Sequence, residues 1–205
     1  MTETATARLT ARGQATRDRI VSAAAQLMAE RGVAGTSTPD VRDAAGVSSS
    51  QIYHYFADKS ALTRAVIEFQ TTRIVGGQHA LLSRLDSFAA LRAWRDALVQ
   101  LQQDLRCQGG CPLATLSGEL AEHDADARTA LSHSFTLWAE AIRDGLRHMI
   151  DHGVLREDTD AEHLSLAMLA ALQGGLVLAQ AQRSTKALEA GLDSMIAIIE
   201  RHAAN

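Results

Sequence analysis

Cysteine and proline are scarce in this chain of 205 residues, and both scarcities limit the kind of protein it can be. Two cysteines cannot form the disulfide framework of a small secreted domain, so we expect free thiols in a reducing compartment. Only two prolines accompany 46% hydrophobic and 21% charged residues, a composition typical of a folded and mostly helical protein. Disorder is therefore expected only at the ends of the chain.

Long apolar runs and a leader-like segment are also missing. No apolar run approaches the roughly 18 to 20 residues of a membrane span. The first residues, MTETATARLTARGQATR, lack the apolar core of a signal peptide. We expect a cytoplasmic protein with no membrane partner, long enough for one large domain or two small ones.

Basic residues are not in excess, which does not favour a nucleic-acid partner. The formal net charge is -4, but residues 1–70 carry 8 Lys+Arg against 7 Asp+Glu, and the remainder carries 12 against 17. This asymmetry is modest, and alone it is a weak indication of DNA binding.

What the chain does contain is helical periodicity. Apolar spacing predicts a first helix from about Thr16 to Arg31 and a fourth from DKSALTRAVIEF to a break at Gly76-Gly77. Later helices are predicted over 87–105, 114–123, 126–152, 160–182 and 185–203. Since no alternating run is long enough for a strand, we predict an all-α fold of about nine helices.

Two short helices are predicted between the first and the fourth. In TSTPDVRDAAG, Thr38 can cap the second helix, which ends before Gly46. Ser48 and Gln51 then have the S-x-x-Q spacing of a capping box that begins the third helix. Two short helices joined by a glycine turn are the pattern of a helix-turn-helix motif.

The third helix begins with polar residues of the kind that read DNA. A recognition helix presents short polar side chains at its N-terminal end, where they meet base edges and phosphates. Ser48, Ser49, Ser50 and Gln51 occupy that end, and Gln51 can make a bidentate contact to adenine.

Aromatic residues follow the polar tip. Tyr53 and Tyr55 each combine a ring that packs with a hydroxyl that can reach a phosphate, and Lys59 can act as a phosphate clamp. Ile52 and Phe56 are expected in the core. Taken singly, each polar residue can equally be a helix cap, a half-buried core residue or a solvated charge, so only their order and spacing indicate DNA binding.

The stretch TRDRIVSAAAQLMAERGVAGTSTPDVRDAAGVSSSQIYHYFADKSALTRAVI resembles the N-terminal domain of the tetracycline-repressor (TetR) family. The resemblance covers about residues 12–67. It implies a DNA-binding domain over residues 12–60, an effector-binding and dimerisation domain over 61–205, and a regulator, more often a repressor, that an effector releases from its operator. By the same resemblance, DNA contacts fall to Thr38, Ser49, Ser50, Gln51, Tyr53, His54, Tyr55 and Lys59.

Two departures from the family pattern bear on specificity. Arg42 stands where the family usually has a small alanine, and Ser49-Ser50-Gln51 replaces the commoner Lys-Gly-Thr type of segment. The operator sequence therefore does not carry over from relatives.

A homodimer would hold two recognition helices about 34 Å apart and so read a pseudo-palindromic duplex. The last two predicted helices suit such an interface, because LSLAMLAALQGGLVLA is almost uncharged and contains small residues. The second of these helices carries an apolar stripe at Leu188, Leu192, Met195, Ile196 and Ile199. The alternative is that these are internal core helices.

An unknown small-molecule effector is expected between the later helices, in a chamber that is mainly apolar with a few polar groups. The candidate wall residues are Trp94, Cys111, His133, Phe135, Trp138 and Gln173. Each of them can equally be an ordinary core residue.

Other functions remain open as alternatives. Cys107 or Cys111 could make the chain a thiol-responsive regulator if a thiolate were exposed beside positive charge. His148 and His152, one helical turn apart, or the carboxylates and histidine of ELAEH could belong to a helical metal-dependent enzyme. No cofactor or catalytic residue is expected, because the sequence lacks the common phosphate-loop, nucleophile-elbow and zinc-protease motifs.

Overall fold

Residues 9–204 are described by a computed structural model, and they fold into two compact units that divide between Phe69 and Gln70. The first eight residues, MTETATAR, on which part of the signal-peptide argument rests, lie outside the described part. Over residues 9–204 the secondary structure consists of nine α-helices and one isolated bridge, between Leu155 and Ala203, which confirms the all-α prediction. The helices are α1 Ala11–Arg31, α2 Thr38–Ala45, α3 Ser49–Tyr55, α4 Lys59–Leu82, α5 Phe88–Asp104, α6 Pro112–Leu120, α7 Ala125–Asp151, α8 Ala161–Gln182 and α9 Lys186–Glu200.

Two predicted helix starts were wrong. Helix α1 begins before Thr16, because the Thr10 hydroxyl accepts a hydrogen bond from the backbone N–H of Gly13 at 3.2 Å and caps the helix there. The cap of α2 is Ser37 and not Thr38. Ser37 forms a capping box with Asp40, whose carboxylate accepts from the Ser37 backbone N–H at 2.9 Å.

The predicted break at Gly76-Gly77 was also wrong, since α4 continues through both glycines to Leu82. A helical glycine costs only about 1 kcal/mol relative to alanine, so packing beyond it can keep the helix intact. That packing includes the buried side chains of Leu82 and Leu85, which are 2% and 0% exposed.

A small apolar core holds the first unit together. Ile20 of α1, Val41 of α2 and Ile52 of α3 are each at most 2% exposed, and Phe56 after α3 is 4% exposed. Three helices thus share one core, and α3 is fixed from its inner face, as predicted for Ile52 and Phe56. The guanidinium of Arg17 lies 5.5 Å from the centre of the Phe56 ring, a cation–π contact that ties α1 to the end of α3.

Helix α8 is central in the second unit, where it packs against α7 and α9, while α5 packs against α9 and α6 against α7. Close approach of α8 to α9 depends on Gly175: a Cβ atom there would lie 2.7 Å from the Cα of Leu188. Arg95 of α5 also reaches α9, since its guanidinium donates two hydrogen bonds of 2.8 Å to the Asp193 carboxylate.

By length and mean hydropathy alone, α8 would be able to cross a membrane, which the sequence reasoning did not foresee. It is 22 residues long, and 44% of its most apolar window is buried inside the protein. It packs against α7 and α9, and one helix that passes a test of length and composition is weak evidence for a membrane span.

Candidate nucleic-acid interface

A tight turn joins α2 to α3. Gly46 has left-handed backbone angles, with φ 62° and ψ 44°, and the N–H of Val47 bonds back to the carbonyl of Arg42 at 3.2 Å. A glycine is favoured here because the left-handed region is costly for other residues. The turn ends at Ser48, whose hydroxyl accepts from the backbone N–H of Gln51 at 3.2 Å and so begins α3.

The polar N-terminal end of α3 faces solvent. Ser48, Ser49, Ser50 and Gln51 are all exposed, whereas Ile52 is 2% exposed. Because one face of the short helix is buried and its tip is not, four polar side chains are presented together with the N–H groups of the first turn.

Capping limits what Gln51 can offer in this conformation. Its side-chain oxygen accepts a 2.8 Å hydrogen bond from the Ser48 backbone N–H, which completes the predicted capping box. The predicted bidentate contact to adenine needs that oxygen as well as the amide nitrogen, so the oxygen would have to accept a second hydrogen bond or release the capping bond. The Ser48 and Ser50 hydroxyls also form a hydrogen bond with each other at 2.8 Å. Of the three serines, Ser49 is therefore the one whose hydroxyl takes no part in these interactions at the start of α3.

The aromatic residues divide between solvent and core. Tyr53 is 60% exposed, the most exposed of the large hydrophobic side chains in the described residues, whereas Tyr55 is half-buried. The Tyr55 hydroxyl lies 3.4 Å from the position a Cβ of Gly13 would take, so this side chain packs toward α1. Exposed His54 meets the Tyr55 ring edge-to-face, with 4.9 Å between ring centres.

The remaining predicted contacts flank the motif. Thr38 is the first residue of α2 and Lys59 the first of α4, and both are half-buried. Arg42, the departure from the family pattern, forms an ion pair of 2.7 Å with neighbouring Asp43 on the surface. Sequence reasoning missed Ser37, although its S-x-x-D spacing to Asp40 was visible in the sequence.

A polar group inside the second unit connects the two tryptophans proposed as effector wall residues. The indole N–H groups of Trp94 and Trp138 both donate to the side-chain oxygen of Gln78, at 3.0 and 3.3 Å. The Gln78 amide N–H donates in turn to the carbonyl of Ile74 at 3.2 Å. Trp94 and Trp138 are 1% and 2% exposed, so the arrangement brings them together in the core through a glutamine that sequence reasoning missed.

A second predicted pair meets at the start of α6. The Gln173 amide of α8 lies beside the thiol of Cys111, which is 5% exposed. The only polar contact of that amide within residues 9–204 is a weak one, to the sulfur of Cys111. Of the other predicted wall residues, His133 is exposed and Phe135 is half-buried on α7.

Comparison with known proteins decides the family. Residues 20–66 match the model described as bacterial regulatory proteins of the tetR family, and residues 87–192 match the C-terminal domain of LmrA/YxaF-like transcriptional regulators. The chain belongs to the TetR family of transcriptional regulators. Members of this family bind operator DNA through the N-terminal motif, typically dimerise and respond to effectors, and they are generally not enzymes.

Individual relatives of this TetR-family chain agree with that assignment. An uncharacterized HTH-type transcriptional regulator of Lactococcus lactis subsp. lactis is 29% identical over 191 residues, 91% of this chain and 94% of its own. The HTH-type transcriptional repressor KstR2 of Rhodococcus jostii is 30% identical over 148 residues, 71% of each chain.

Solved structures share the fold. A TetR-family regulator from Cytophaga hutchinsonii superposes with a TM-score of 0.82 at 18% identity, over 97% of this chain and 100% of its own. A TetR regulator from Chloroflexus aurantiacus superposes with a TM-score of 0.79 at 25% identity, over 95% and 99%.

The thiol and histidine alternatives find little geometric support in this TetR-family chain. Burial raises the pKa of the Cys111 thiol, and the nearby backbone N–H groups of Ala114 and Leu113 and the Gln173 amide only partly offset it. His148 and His152 are adjacent, but their Nδ1 atoms lie 3.1 and 2.8 Å from backbone carbonyl oxygens, to which they donate. Within the described range, no three His, Cys, Asp or Glu side chains are placed to hold a metal ion.

The predicted dimer stripe on α9 was wrong. Its five side chains are between 0% and 9% exposed, because they pack inside the subunit: Leu188, Leu192, Met195, Ile196 and Ile199. A different apolar surface is exposed on α8, which we call the α8 stripe. It consists of Leu166, Ala170, Gly174, Val177, Leu178 and Ala181.

Proposed function

We propose that the exposed tip of α3 reads operator base edges and that the surrounding hydroxyl and ammonium groups hold the phosphates. The observation that carries this assignment is the exposure of the polar tip on a helix whose opposite face is fixed by Ile52 and Phe56. A rigid helix with free polar side chains at its N-terminal end suits the major groove. The domain boundaries at 12–60 for DNA binding and 61–205 for effector binding and dimerisation belong to the same proposal.

Within this tip, Ser49 and the amide nitrogen of Gln51 are the groups available for base edges. Capping engages the Gln51 oxygen and the Ser48 hydroxyl. Tyr53, exposed to 60%, and Lys59 at the start of α4 supply phosphate contacts, with Thr38, Ser48, Ser50, His54 and Tyr55 around them.

Homodimerisation through the last two helices is supported by the α8 stripe. Leu166, Val177 and Leu178 are 52%, 54% and 46% exposed, and residues 166, 170, 174, 177 and 181 recur at the spacing of one helix face. Small residues at 170, 174 and 181 would let a second copy approach closely. Ile198 of α9, 39% exposed, adds to the apolar area.

Regulation is proposed to follow from an effector that binds inside the second unit, near the buried polar groups around Cys111, Gln173 and the two tryptophans. Helix α4 contributes residues to both units, so a change in its position can couple the effector to the DNA-binding unit. By linkage, effector and operator weaken each other's binding by the same factor. A shift from mostly bound to mostly free needs a differential affinity of about 5.5 kcal/mol.

We place the protein in the cytoplasm, where such an operator is accessible, and infer repression as the mode of control.

Sequence-specific DNA binding is tested by selecting genomic DNA fragments with the purified full-length protein. The recovered duplex and a scrambled duplex are then titrated with the protein at several salt concentrations. Lys59→Ala is expected to weaken both duplexes equally and to reduce the salt slope by about 1, because it removes a phosphate contact. Gln51→Ala is expected to change the preference at particular base pairs. Identical behaviour of the two variants would contradict the division of roles.

Gln51→Glu is the matched control for the cap. It keeps a side-chain oxygen for the Ser48 backbone N–H and so preserves α3, but it removes the amide donor and adds a negative charge. We expect it to retain the helix content and lose operator binding.

Light scattering coupled to gel filtration tests the dimer. Val177→Glu places a charge in the middle of the α8 stripe and is expected to convert a dimer into a monomer, since an unpaired charge is costly in an apolar interface. Leu101→Glu, at an apolar residue of α5 that is 51% exposed, is the control and is expected to remain dimeric. A dimer of undiminished stability in Val177→Glu would place the interface elsewhere.

A further inference from the structure

Arg42 is the single Lys or Arg between Arg31 and Lys59, so it supplies the one permanent positive charge of the segment that forms α2, the turn and α3. The tip of α3, residues 48–51, carries no charged side chain. A protein that binds a duplex neutralises phosphates with Lys and Arg side chains, and this term supplies the sequence-independent part of the affinity. The position of the Arg42 side chain relative to the tip decides whether it can take part.

The backbone of Arg42 lies against the turn that leads to the tip. Its carbonyl accepts a hydrogen bond of 3.2 Å from the N–H of Val47, the residue before the N-cap Ser48. Thr38 lies four residues before Arg42 on α2, and residues at this spacing share a helix face. Both are half-buried, whereas Val41 is 1% exposed and fixes α2 in the core. Arg42 thus lies on the Thr38 face of α2, beside the turn that precedes the exposed tip.

The Arg42 guanidinium is paired with a single oxygen of the neighbouring Asp43. Its Nε and Nη2 atoms both lie 2.7 Å from Oδ1 of that carboxylate. A guanidinium has five N–H donors, so this arrangement engages two of them. The two side chains are 38% and 68% exposed, and an ion pair in contact with water is weak. Exchange of the Asp43 carboxylate for another anion therefore costs little.

A phosphate group suits this guanidinium better than the Asp43 carboxylate does. Asp43 offers one oxygen to two N–H groups, whereas a phosphate can accept two parallel hydrogen bonds on two oxygens. A contact to a phosphate carries no sequence information, which separates such a role of Arg42 from base reading by the polar tip.

We propose that Arg42 binds a backbone phosphate of the operator and that this phosphate takes the place of Asp43 on the guanidinium. The inference rests on the proposed function, because the duplex must enter at the α3 tip for its backbone to pass the Thr38 face of α2. It adds a cationic contact within the DNA-binding motif. It also assigns to Asp43 the role of a competitor that weakens the binding of every duplex.

The test uses the full-length protein and two duplexes, the one recovered by genomic selection and a scrambled one, each titrated over a series of salt concentrations. Arg42→Ala is expected to weaken both duplexes by the same factor and to reduce the salt slope by about 1. Arg42→Lys keeps the charge and is expected to restore the slope. Circular dichroism checks that each variant retains its helix content.

Arg92→Ala is the matched control. Arg92 also pairs with one carboxylate at the surface, that of Glu200, but it lies on α5 in the second unit. The substitution removes the same charge from the chain and is expected to change neither the affinity nor the salt slope.

Asp43→Asn tests the exchange of anions. It removes the competitor and is expected to tighten the binding of both duplexes. Loss of a negative charge near DNA would tighten binding even without any exchange, so the same substitution is also made in the Arg42→Ala protein. There the gain is expected to be smaller by about threefold or more, because the two side chains are coupled.

Four results would overturn the proposal: parent affinity and slope in Arg42→Ala, a loss confined to the recovered duplex, a slope that Arg42→Lys does not restore, or an equal gain from Asp43→Asn in both proteins. Failure of the proposed function gives a different pattern. If the parent protein binds the two duplexes equally, base reading by the tip is refuted, and the salt slope on the scrambled duplex still decides the phosphate contact of Arg42.

Discussion

Replacing Gly175 by alanine tests the packing that positions α9 on α8. A Cβ atom at this position would lie 2.7 Å from the Cα of Leu188 and 2.9 Å from one of its methyl carbons. Carbon atoms in favourable contact lie about 3.5–4.0 Å apart, so α9 would have to move outward by about 1 Å. The nearest obstacle is backbone, which cannot escape by a change of rotamer.

Two opposing effects set the size of the change. Overpacking of this kind costs about 1–3 kcal/mol, and alanine recovers about 1 kcal/mol of helix propensity. The expected net result is a destabilisation between zero and about 2 kcal/mol. Gly76→Ala is the control, because Gly76 is an exposed residue inside α4 and nothing lies within 4 Å of the position that an alanine Cβ would take. This substitution should stabilise the fold by about 0.5–1 kcal/mol.

Urea unfolding followed by tryptophan fluorescence suits this comparison. The chain has two tryptophans, Trp94 and Trp138, and both belong to the second unit, so their emission reports the unit that contains Gly175. Stabilisation by Gly175→Ala as large as that by Gly76→Ala would refute the close approach of α8 and α9.

Three further outcomes follow from individual side chains. The Ser37 hydroxyl and backbone N–H, with Arg31, hold the pKa of Asp40 below its usual value. The carboxylate therefore stabilises the fold at pH values above its unfolded pKa of about 3.9, and this stabilisation is lost as the pH falls through the lower folded pKa. Asp40→Asn should remove that acid dependence in thermal melts monitored by circular dichroism. Cys107 and Cys111 are 4% and 5% exposed, so iodoacetamide should modify them rapidly only after denaturation, and rapid modification of the folded protein would revive the thiol-responsive alternative. Gln78→Leu leaves two buried indole N–H groups without their acceptor and should cost about 2–5 kcal/mol of unfolding free energy in urea titrations, whereas a loss under 1 kcal/mol would contradict their sharing of one oxygen.

Local features of the fold were predictable because they depend on neighbouring residues. The Ser48–Gln51 capping box and the turn at Gly46 use interactions spanning three or four positions, and both are confirmed. The end of α4 was not predictable from Gly76-Gly77, because the contacts that hold the helix together beyond them come from residues distant in sequence. Gln78 shows this, since its partner Trp138 is 60 residues away.

The same limit applies to the candidate sites. A helical period marks an apolar face but does not tell which partner covers it, so the stripe on α9 was assigned to a second subunit when α8 and α5 cover it within one chain. The polar tip of α3 was predictable as an exposed surface. The capping role of the Gln51 oxygen was visible in the S-x-x-Q spacing, but that the cap and a bidentate base contact would share this one oxygen emerged only from the 2.8 Å hydrogen bond.

Hydroxyl-radical footprinting of the operator recovered from the genomic selection tests the central claim most directly, that two copies of the α3 tip enter the major groove. We predict two protected tracts, related by a pseudo-palindrome and centred about one helical turn or a multiple of it apart. We also predict that Ser49→Tyr, at the exposed tip, abolishes both tracts while leaving the helix content unchanged. A single unpaired tract, or full protection by the Ser49→Tyr protein, would contradict the account.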